Sequence, residues 1–258
     1  MTILQTIILG AIEGITEFLP ISSTGHLILA NRILGILQTD FMKSFEIVIQ
    51  AGAILAVVVL YWKLFLNRLV LKKIIIAFIP TGILGFIFYK IIKTYLLESE
   101  KIVLWALFAG GIFLILFELF YKKKNQEGLI QTPGDIPLKK CFFIGCFQAI
   151  AMVPGVSRSA ATIVAGLLSG ISRKAIVEFS FLLAVPTMLA ATGYDLLKTA
   201  GHFSFQQFNV LAIGLLSSFL TAVLSIKFLL KFIQKNTFIP FGIYRIALAL
   251  FFLFLVKP

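Results

Sequence analysis

Two glutamates, Glu13 and Glu17, stand four residues apart in an otherwise apolar segment. That spacing puts both carboxylates on one helix face. Two negative groups so close repel unless a cation joins them or one keeps its proton. A hard divalent ion, which takes oxygen ligands, suits such a pair. An ionised group at bilayer depth costs about 2.5–3.5 kcal/mol on insertion scales, so Glu13, Glu17 and Arg158 together would cost about 8–10 kcal/mol. That is comparable to a whole domain's stability, so such groups pair or mark function. The plainer reading has both glutamates snorkelling at an interface.

Pro20 and then Ser22-Ser23-Thr24-Gly25-His26 follow. Pro20 stops the first half-helix, and Ser22 or Ser23 can cap the next one. The N-terminus of that next half-helix offers free N–H groups and partial positive charge, which suits a phosphate. His26 lies three residues after Ser23 and can meet it on one face, and a Ser–His pair is the minimum for an activated nucleophile. Capping serines beside a hydrogen-bonded core histidine explain the pentapeptide equally well.

A second constellation is Pro154-Gly155-Val156-Ser157-Arg158-Ser159, with Thr162 one turn later. Gly155 permits a tight turn. Arg158 offers a bidentate fork for phosphate oxygens. A structural arginine paired with Glu13 or Glu17 is the alternative, and both can hold at once. Glu46 and Gln50 repeat the four-residue spacing, as supports for the site or as a plain helix-surface pair. Asp195, His202 and Glu118 look peripheral, and Cys141 and Cys146 read as inert thiols on an apolar segment.

The elements that must position these residues are membrane helices. Of 258 residues, 60% are hydrophobic, 13% are charged and 27 are Phe; mean hydropathy is +1.04. Soluble chains run at about 45–50% apolar and about 25% charged, so a soluble enzyme, a disordered chain and a nucleic-acid binder are excluded. The net charge of +12 comes from cations scattered between apolar runs, which reads as membrane orientation. The first cation is Arg32, so no basic n-region of a signal peptide precedes the first apolar run. Spans are expected over residues 45–65, 74–92, 102–121, 179–197, 210–230 and 239–256. Two apolar stretches, 4–36 and 141–171, are broken at the serine-rich motifs. Their halves are too short to cross at 1.5 Å per residue, and they read as re-entrant helical hairpins. The fold class is therefore an all-α integral membrane protein with six spanning helices and two re-entrant hairpins.

If both hairpins return to the side they entered, one side collects three cation-rich loops. These hold Lys63, Arg68, Lys72 and Lys73; Lys122 to Lys124 with Lys139 and Lys140; and Lys227, Lys231 and Lys235. Arg173 and Lys174 fall on the same side. That side is cytoplasmic, both termini lie outside, and the first hairpin enters from outside. The halves resemble each other at an offset of about 135 residues. Glu13 faces Gln148, and Pro20 with Ser22-Ser23 faces Pro154 with Ser157-Arg158-Ser159. The whole chain forms one membrane domain. Residues 1–121 are the first repeat, 122–140 a cytoplasmic linker and 141–258 a second, inverted repeat. Such repeats place a polar site near the midplane.

Glu13-Gly-Ile-Thr-Glu17-Phe-Leu-Pro-Ile-Ser-Ser-Thr-Gly-His26 resembles the first signature of the undecaprenyl-diphosphate phosphatases of the bacitracin-resistance type. Pro154-Gly-Val-Ser-Arg-Ser159 with Thr162 resembles their second. Phe45-Glu46 through Gln50 and Gly52 also fits, as does Phe179-Ser-Phe-Leu-Leu183 with Pro186. Ala160 departs from the glycine frequent there. The resemblance implies a hydrolase of the bacterial inner membrane, and the cation count sets its active site facing outside. It would convert undecaprenyl diphosphate to undecaprenyl phosphate and inorganic phosphate. That recycles the lipid carrier for peptidoglycan and other wall polymers and supports resistance to bacitracin.

The resemblance also implies roles. Glu13 and Glu17 hold a divalent cation, magnesium or calcium. Ser22, Ser23 and His26 take the family's serine and histidine positions; joined with the Ser–His spacing, this makes Ser23 the nucleophile and His26 the base, or else a metal-activated water attacks. Arg158 holds phosphate with Ser157, Ser159 and Thr162, and Thr24 and Gly155 join in binding substrate. Membrane lipids are the surroundings, nucleic acid is not a partner, and a homodimer is left open. The competing class is a carrier-lipid flippase or transporter, which the inverted repeat supports. The Ser–His pair beside carboxylates and Arg158 argues for chemistry instead.

Overall fold

A computed structural model describes residues 1–91, 99–121, 129–199 and 205–255. Among the described residues the regular elements are all α-helices, apart from a 3-10 turn at Pro133–Asp135 and one isolated bridge between Ile130 and Ile171. The helices are α1 (Ile3–Thr16), α2 (Ser23–Ile33), α3 (Asp40–Phe65), α4 (Arg68–Ile91), α5 (Glu100–Phe120), α6 (Leu138–Ile150), α7 (Arg158–Leu168), α8 (Arg173–Thr199), α9 (Phe205–Phe232) and α10 (Ile239–Leu255). Five of them, α3, α4, α5, α8 and α9, carry segments long and apolar enough to cross a membrane. α10 has 17 residues, about 26 Å at 1.5 Å per residue.

Most helices begin earlier than the apolar pattern suggested, and this corrects the placing of the cations. Lys63 sits in the last turn of α3 and Arg68, Lys72 and Lys73 lie in the first turns of α4, leaving only Leu66 and Asn67 between the helices. Lys139 and Lys140 open α6, Arg173 and Lys174 open α8, and Lys227 and Lys231 close α9. Long aliphatic stems let a lysine stay in a helix while its head reaches water, so the polarity of a cation does not mark a helix end. Lys122 to Lys124, His202 and most of the connection before Pro133 lie outside the described residues.

The broken stretches form two antiparallel hairpins, α1–α2 and α6–α7. Gln5 near the start of α1 donates to the Leu34 carbonyl at the end of α2, at 3.3 Å. Lys140 near the start of α6 donates to the Ser169 carbonyl at the end of α7, at 2.6 Å. With 14 and 11 residues, α1 and α2 reach only about 21 and 17 Å. The packing has a regular exchange: α1 lies on α9 as α6 lies on α4, α3 meets α9 as α8 meets α4, and α5 pairs with α10. Gly145 lets α6 close on α4, because a side chain there would strike the Ala77 carbonyl and Pro80. Small residues at close helix contacts are the usual packing device in lipid.

The largest buried cluster forms where the turn of the first hairpin meets α3, α7 and α8. Phe18 sits edge-to-face on Phe181 with ring centroids 5.3 Å apart. The apolar window of α8 is 67% buried, against 28–33% for the other four. α8 is thus the central post against which both hairpin breaks are set. Glu118, which looked peripheral, belongs to this frame. It is buried at the end of α5, pairs bidentately with Arg173 at 2.5 and 2.7 Å, and accepts the Phe238 N–H.

Candidate active site

α1 ends at Thr16, and Glu17 is its C-cap, with its N–H on the Glu13 carbonyl at 2.9 Å. Both acids keep the one-turn relation expected of them. A tight turn through Pro20 leads to Ser22, which opens α2 at φ 70°. Ser22 takes the N-cap position of α2, yet neither candidate serine gives the helix a side-chain cap bond. The Ser23 hydroxyl donates instead to Glu17 Oε2 at 2.6 Å.

The second hairpin mirrors this turn. Gly155 has φ 94°, and a Cβ there would press on the Val103 carbonyl and Ala106 of α5. Ser157 opens α7 at φ 73° and does cap it, accepting from the Ala160 N–H at 3.3 Å. Arg158 then reaches across to the first hairpin. Its Nη2 donates to Glu17 Oε1 at 3.1 Å and its Nη1 to the Ser180 carbonyl at 2.7 Å, while its Nε is buried without a partner. Of the two glutamates offered by the sequence, the arginine takes Glu17. Ser159 ties the breaks together through the Leu19 carbonyl at 2.8 Å. Thr162 pairs with the Ser180 hydroxyl at 2.7 Å.

A cavity of about 260 Å³ opens between the two breaks. Binding sites for drug-sized ligands run to about 300–1,000 Å³, so it has room for a phosphate-bearing head and not for a long chain. Glu17, Ser22, Ser23, Thr24, Gly155, Ser157 and Arg158 all line it. Ser159 and Thr162 are fully buried and brace the walls rather than facing the space.

His26 is also turned away. Its Nδ1 contacts the Ser22 carbonyl at 2.7 Å and its Nε2 the Tyr244 hydroxyl at 2.7 Å, with the two rings stacked at 5.5 Å. A carbonyl only accepts, so Nδ1 carries the proton and neutral Nε2 accepts from Tyr244. The Ser23–His26 pair suggested by their spacing is therefore not made. Each has a better-placed partner, Glu17 for Ser23 and Tyr244 for His26.

Glu13 is fully buried, and neither carboxylate oxygen has a hydrogen-bond donor. The charges that act on it are those of Glu17, Glu46 and Arg158. A buried carboxylate without a donor suits a hard cation. Glu17 has already committed one lone pair on each oxygen, yet a carboxylate offers about four such sites, so it can still share a cation with Glu13. Among the described residues no three His, Cys, Asp or Glu side chains gather as a metal cluster. Glu46 holds Asn31 and Gln38 at 2.9 and 3.2 Å, while Gln50 lines the cavity.

Four contributors escape recognition by sequence alone. Tyr244 and Ser180 carried no chemical signal there. Gln148 was placed opposite Glu13 without a role; its amide donates to Thr81 and Thr187, both at 3.0 Å, at the cavity wall. Arg245 did carry a signal, a lone cation inside an apolar run, the same signal that pointed to Arg158.

Comparison with known proteins agrees along the whole chain. The family described as bacitracin resistance protein BacA matches residues 6–251. The undecaprenyl-diphosphatase of Sulfurihydrogenibium sp. is 54% identical over 252 residues, covering 98% of both chains. That of Aquifex aeolicus is 52% identical over 259 residues, covering 98% of this chain and all of its own. That of Persephonella marina is 54% identical over 257 residues, covering 99% of this chain and all of its own.

Proposed function

The chain belongs to the bacitracin resistance protein BacA family, and on that premise we infer that it is a multi-pass membrane undecaprenyl-diphosphatase. It hydrolyses undecaprenyl diphosphate to undecaprenyl phosphate and inorganic phosphate. The observation that carries this reading is the chain Ser23–Glu17–Arg158, which joins the two helix breaks inside one cavity. A flippase needs no nucleophile held against a carboxylate.

Ser23 Oγ attacks the terminal phosphorus and passes its proton to Glu17 Oε2, already at 2.6 Å. The anhydride bond breaks and undecaprenyl phosphate leaves with the electron pair. Water then attacks the phosphoserine, Glu17 returns the proton to Ser23, and inorganic phosphate departs. Arg158, with Ser22, Ser157 and Thr24, holds the phosphoryl oxygens and meets the charge that develops on them. His26 fixes the Ser22 carbonyl and with it the turn. Glu13, sharing with Glu17, would hold the divalent cation, magnesium or calcium, whose charge offsets that of the diphosphate. The lipid chain lies outside the cavity, along the apolar helices.

The membrane arrangement in this reading is six spans, with α10 as the sixth, and two re-entrant hairpins. Residues 1–121 and 141–258 form inverted repeats joined by a cytoplasmic linker at 122–140. The antiparallel hairpins and the exchange of packing partners between halves support it. The site opens to the outside of the inner membrane. In a background lacking Cys141 and Cys146, a cysteine at exposed Leu37 is labelled by an impermeant reagent in intact cells. Labelling only after the membrane is broken would reverse the orientation.

The function itself is tested by phosphate release from the purified protein in detergent, where no transport can be scored. Release from undecaprenyl diphosphate, abolished by Ser23→Ala, is expected. Its absence from folded wild-type protein would favour the flippase.

A further inference from the structure

Arg245 lies in the middle of α10 and is fully buried. A guanidinium has five N–H donors and no acceptor, and here each donor meets a different main-chain carbonyl. Nε donates to Leu107 at 3.3 Å, Nη1 to Pro20 at 3.4 Å and Val156 at 3.0 Å, and Nη2 to Ala106 at 3.0 Å and Gly155 at 2.8 Å. Ala106 and Leu107 belong to α5, Pro20 to the first helix break, and Gly155 and Val156 to the second.

Room for the group is built into α5. Gly110 has no side chain where the Arg245 guanidinium passes, and a Cβ there would collide with its Nη2 and lie 2.8 Å from its Cζ. A buried charge is costly, and among the described residues no carboxylate is paired with this one. Its five bonds are all to carbonyls of the segments whose mutual placement defines the site.

We propose that Arg245 is a positioning residue for phosphoryl transfer, fastening both helix breaks to α5 and α10 so that Ser23 and Glu17 of the first hairpin face Ser157 and Arg158 of the second. Pro20 is three residues from Ser23, and Val156 is two from Arg158. The guanidinium therefore acts through the backbone and touches none of the reacting groups. A lysine cannot replace it, since one ammonium with three donors cannot span five divergent carbonyls. Misplacement of reacting groups by about 1 Å costs on the order of a hundredfold in rate, so a small loosening is visible in turnover.

The inference rests on the diphosphatase reading, and wild-type protein assayed in parallel separates the two. If folded wild type releases no phosphate, that reading fails; if wild type is active and the variants match it, only the role of Arg245 fails. The variants are Arg245→Lys, which keeps the charge, and Gly110→Ala, which keeps the arginine but pushes the guanidinium off its carbonyls. Gly110→Ala also regains about 1 kcal/mol of helix propensity, which offsets part of the cost of moving the guanidinium, and failure of both variants to yield folded protein would itself overturn the proposal by showing a structural role. For each, kcat per folded molecule and KM are measured in detergent. We expect kcat to fall roughly ten- to a hundredfold in both, with KM within about threefold of wild type. A purely structural role would lower the yield of folded protein while leaving kcat per folded molecule unchanged, and that result in Gly110→Ala overturns the proposal. A large rise in KM at constant kcat also overturns it, because Arg245 would then serve docking alone.

Discussion

Ser22 and Ser157 take the same left-handed backbone conformation, at φ 70° and 73°, each at the head of the second helix of its hairpin. Outside glycine this region costs about 1–3 kcal/mol and persists where the surroundings enforce it. Both serines line the cavity, so the strain is stored where the two breaks face each other. The serines differ in one respect: Ser157 caps its helix and Ser22 does not. Ser22→Gly should therefore raise stability by about 1 kcal/mol, since it relieves strain and loses no cap. Ser157→Ala should lower it by about 1 kcal/mol through the lost cap. Thermal unfolding in detergent reads both, and a less stable Ser22→Gly protein would contradict the strain argument.

Glu13 and Glu17 should respond differently to amide substitution. Glu17 has a partner on each oxygen, Arg158 and Ser23, whereas Glu13 has none. Glu17→Gln should remove the proton acceptor of Ser23 and lower kcat at least a hundredfold even at saturating metal. Glu13→Gln should shift the concentration of magnesium or calcium needed for half-maximal rate upward, by tenfold or more. Phosphate release across a metal titration separates the two. An unchanged metal response in Glu13→Gln would show that Glu13 is not a ligand.

The sequence disclosed the two breaks and the charges beside them because an ionisable residue in an apolar run is costly and hence conspicuous. Glu17, Ser23, Arg158 and the repeat of their motifs were legible for that reason, and six helices longer than 16 residues follow the apolar runs. Pairings were not legible. Ser23 and His26 share a face by spacing, yet Glu17 captures the hydroxyl and Tyr244, some 218 residues on, captures the ring. Glu118 looked incidental until Arg173 met it from another helix. Arg245 offered the same signal as Arg158 but lacked a motif around it, and only the fold shows that its partners are carbonyls.

His26 should prove to be a holder of the turn and not a proton carrier. Its Nδ1–H is bound to the Ser22 carbonyl, and an asparagine amide can supply a similar donor. His26→Asn should keep turnover within about tenfold of wild type, which corresponds to a neutral hydrogen bond of about 0.5–1.5 kcal/mol. Tyr244→Phe should cost no more, since it removes one such bond to Nε2. If His26→Asn is as inactive as Ser23→Ala, His26 moves the proton and the assignment to Glu17 is wrong.

Arg158→Lys should not rescue Arg158→Ala. The guanidinium reaches two groups that lie on different elements, the Ser180 carbonyl on α8 and the Glu17 carboxylate at the end of α1, and it keeps Nε in reserve. An ammonium is a point donor and cannot hold both while also meeting a phosphoryl oxygen. Losing a charge-assisted bidentate contact should cost about 2–4 kcal/mol in the transition state, or about thirty- to a thousandfold in rate. The loss falls on kcat if the arginine tightens on charge developing at phosphorus, and on KM if it only docks the head group. Folding must be checked first, because the exchange weakens the partner of a buried Glu17. If the variant is folded and turns over at nearly the wild-type rate, the fork is dispensable and only its positive charge matters.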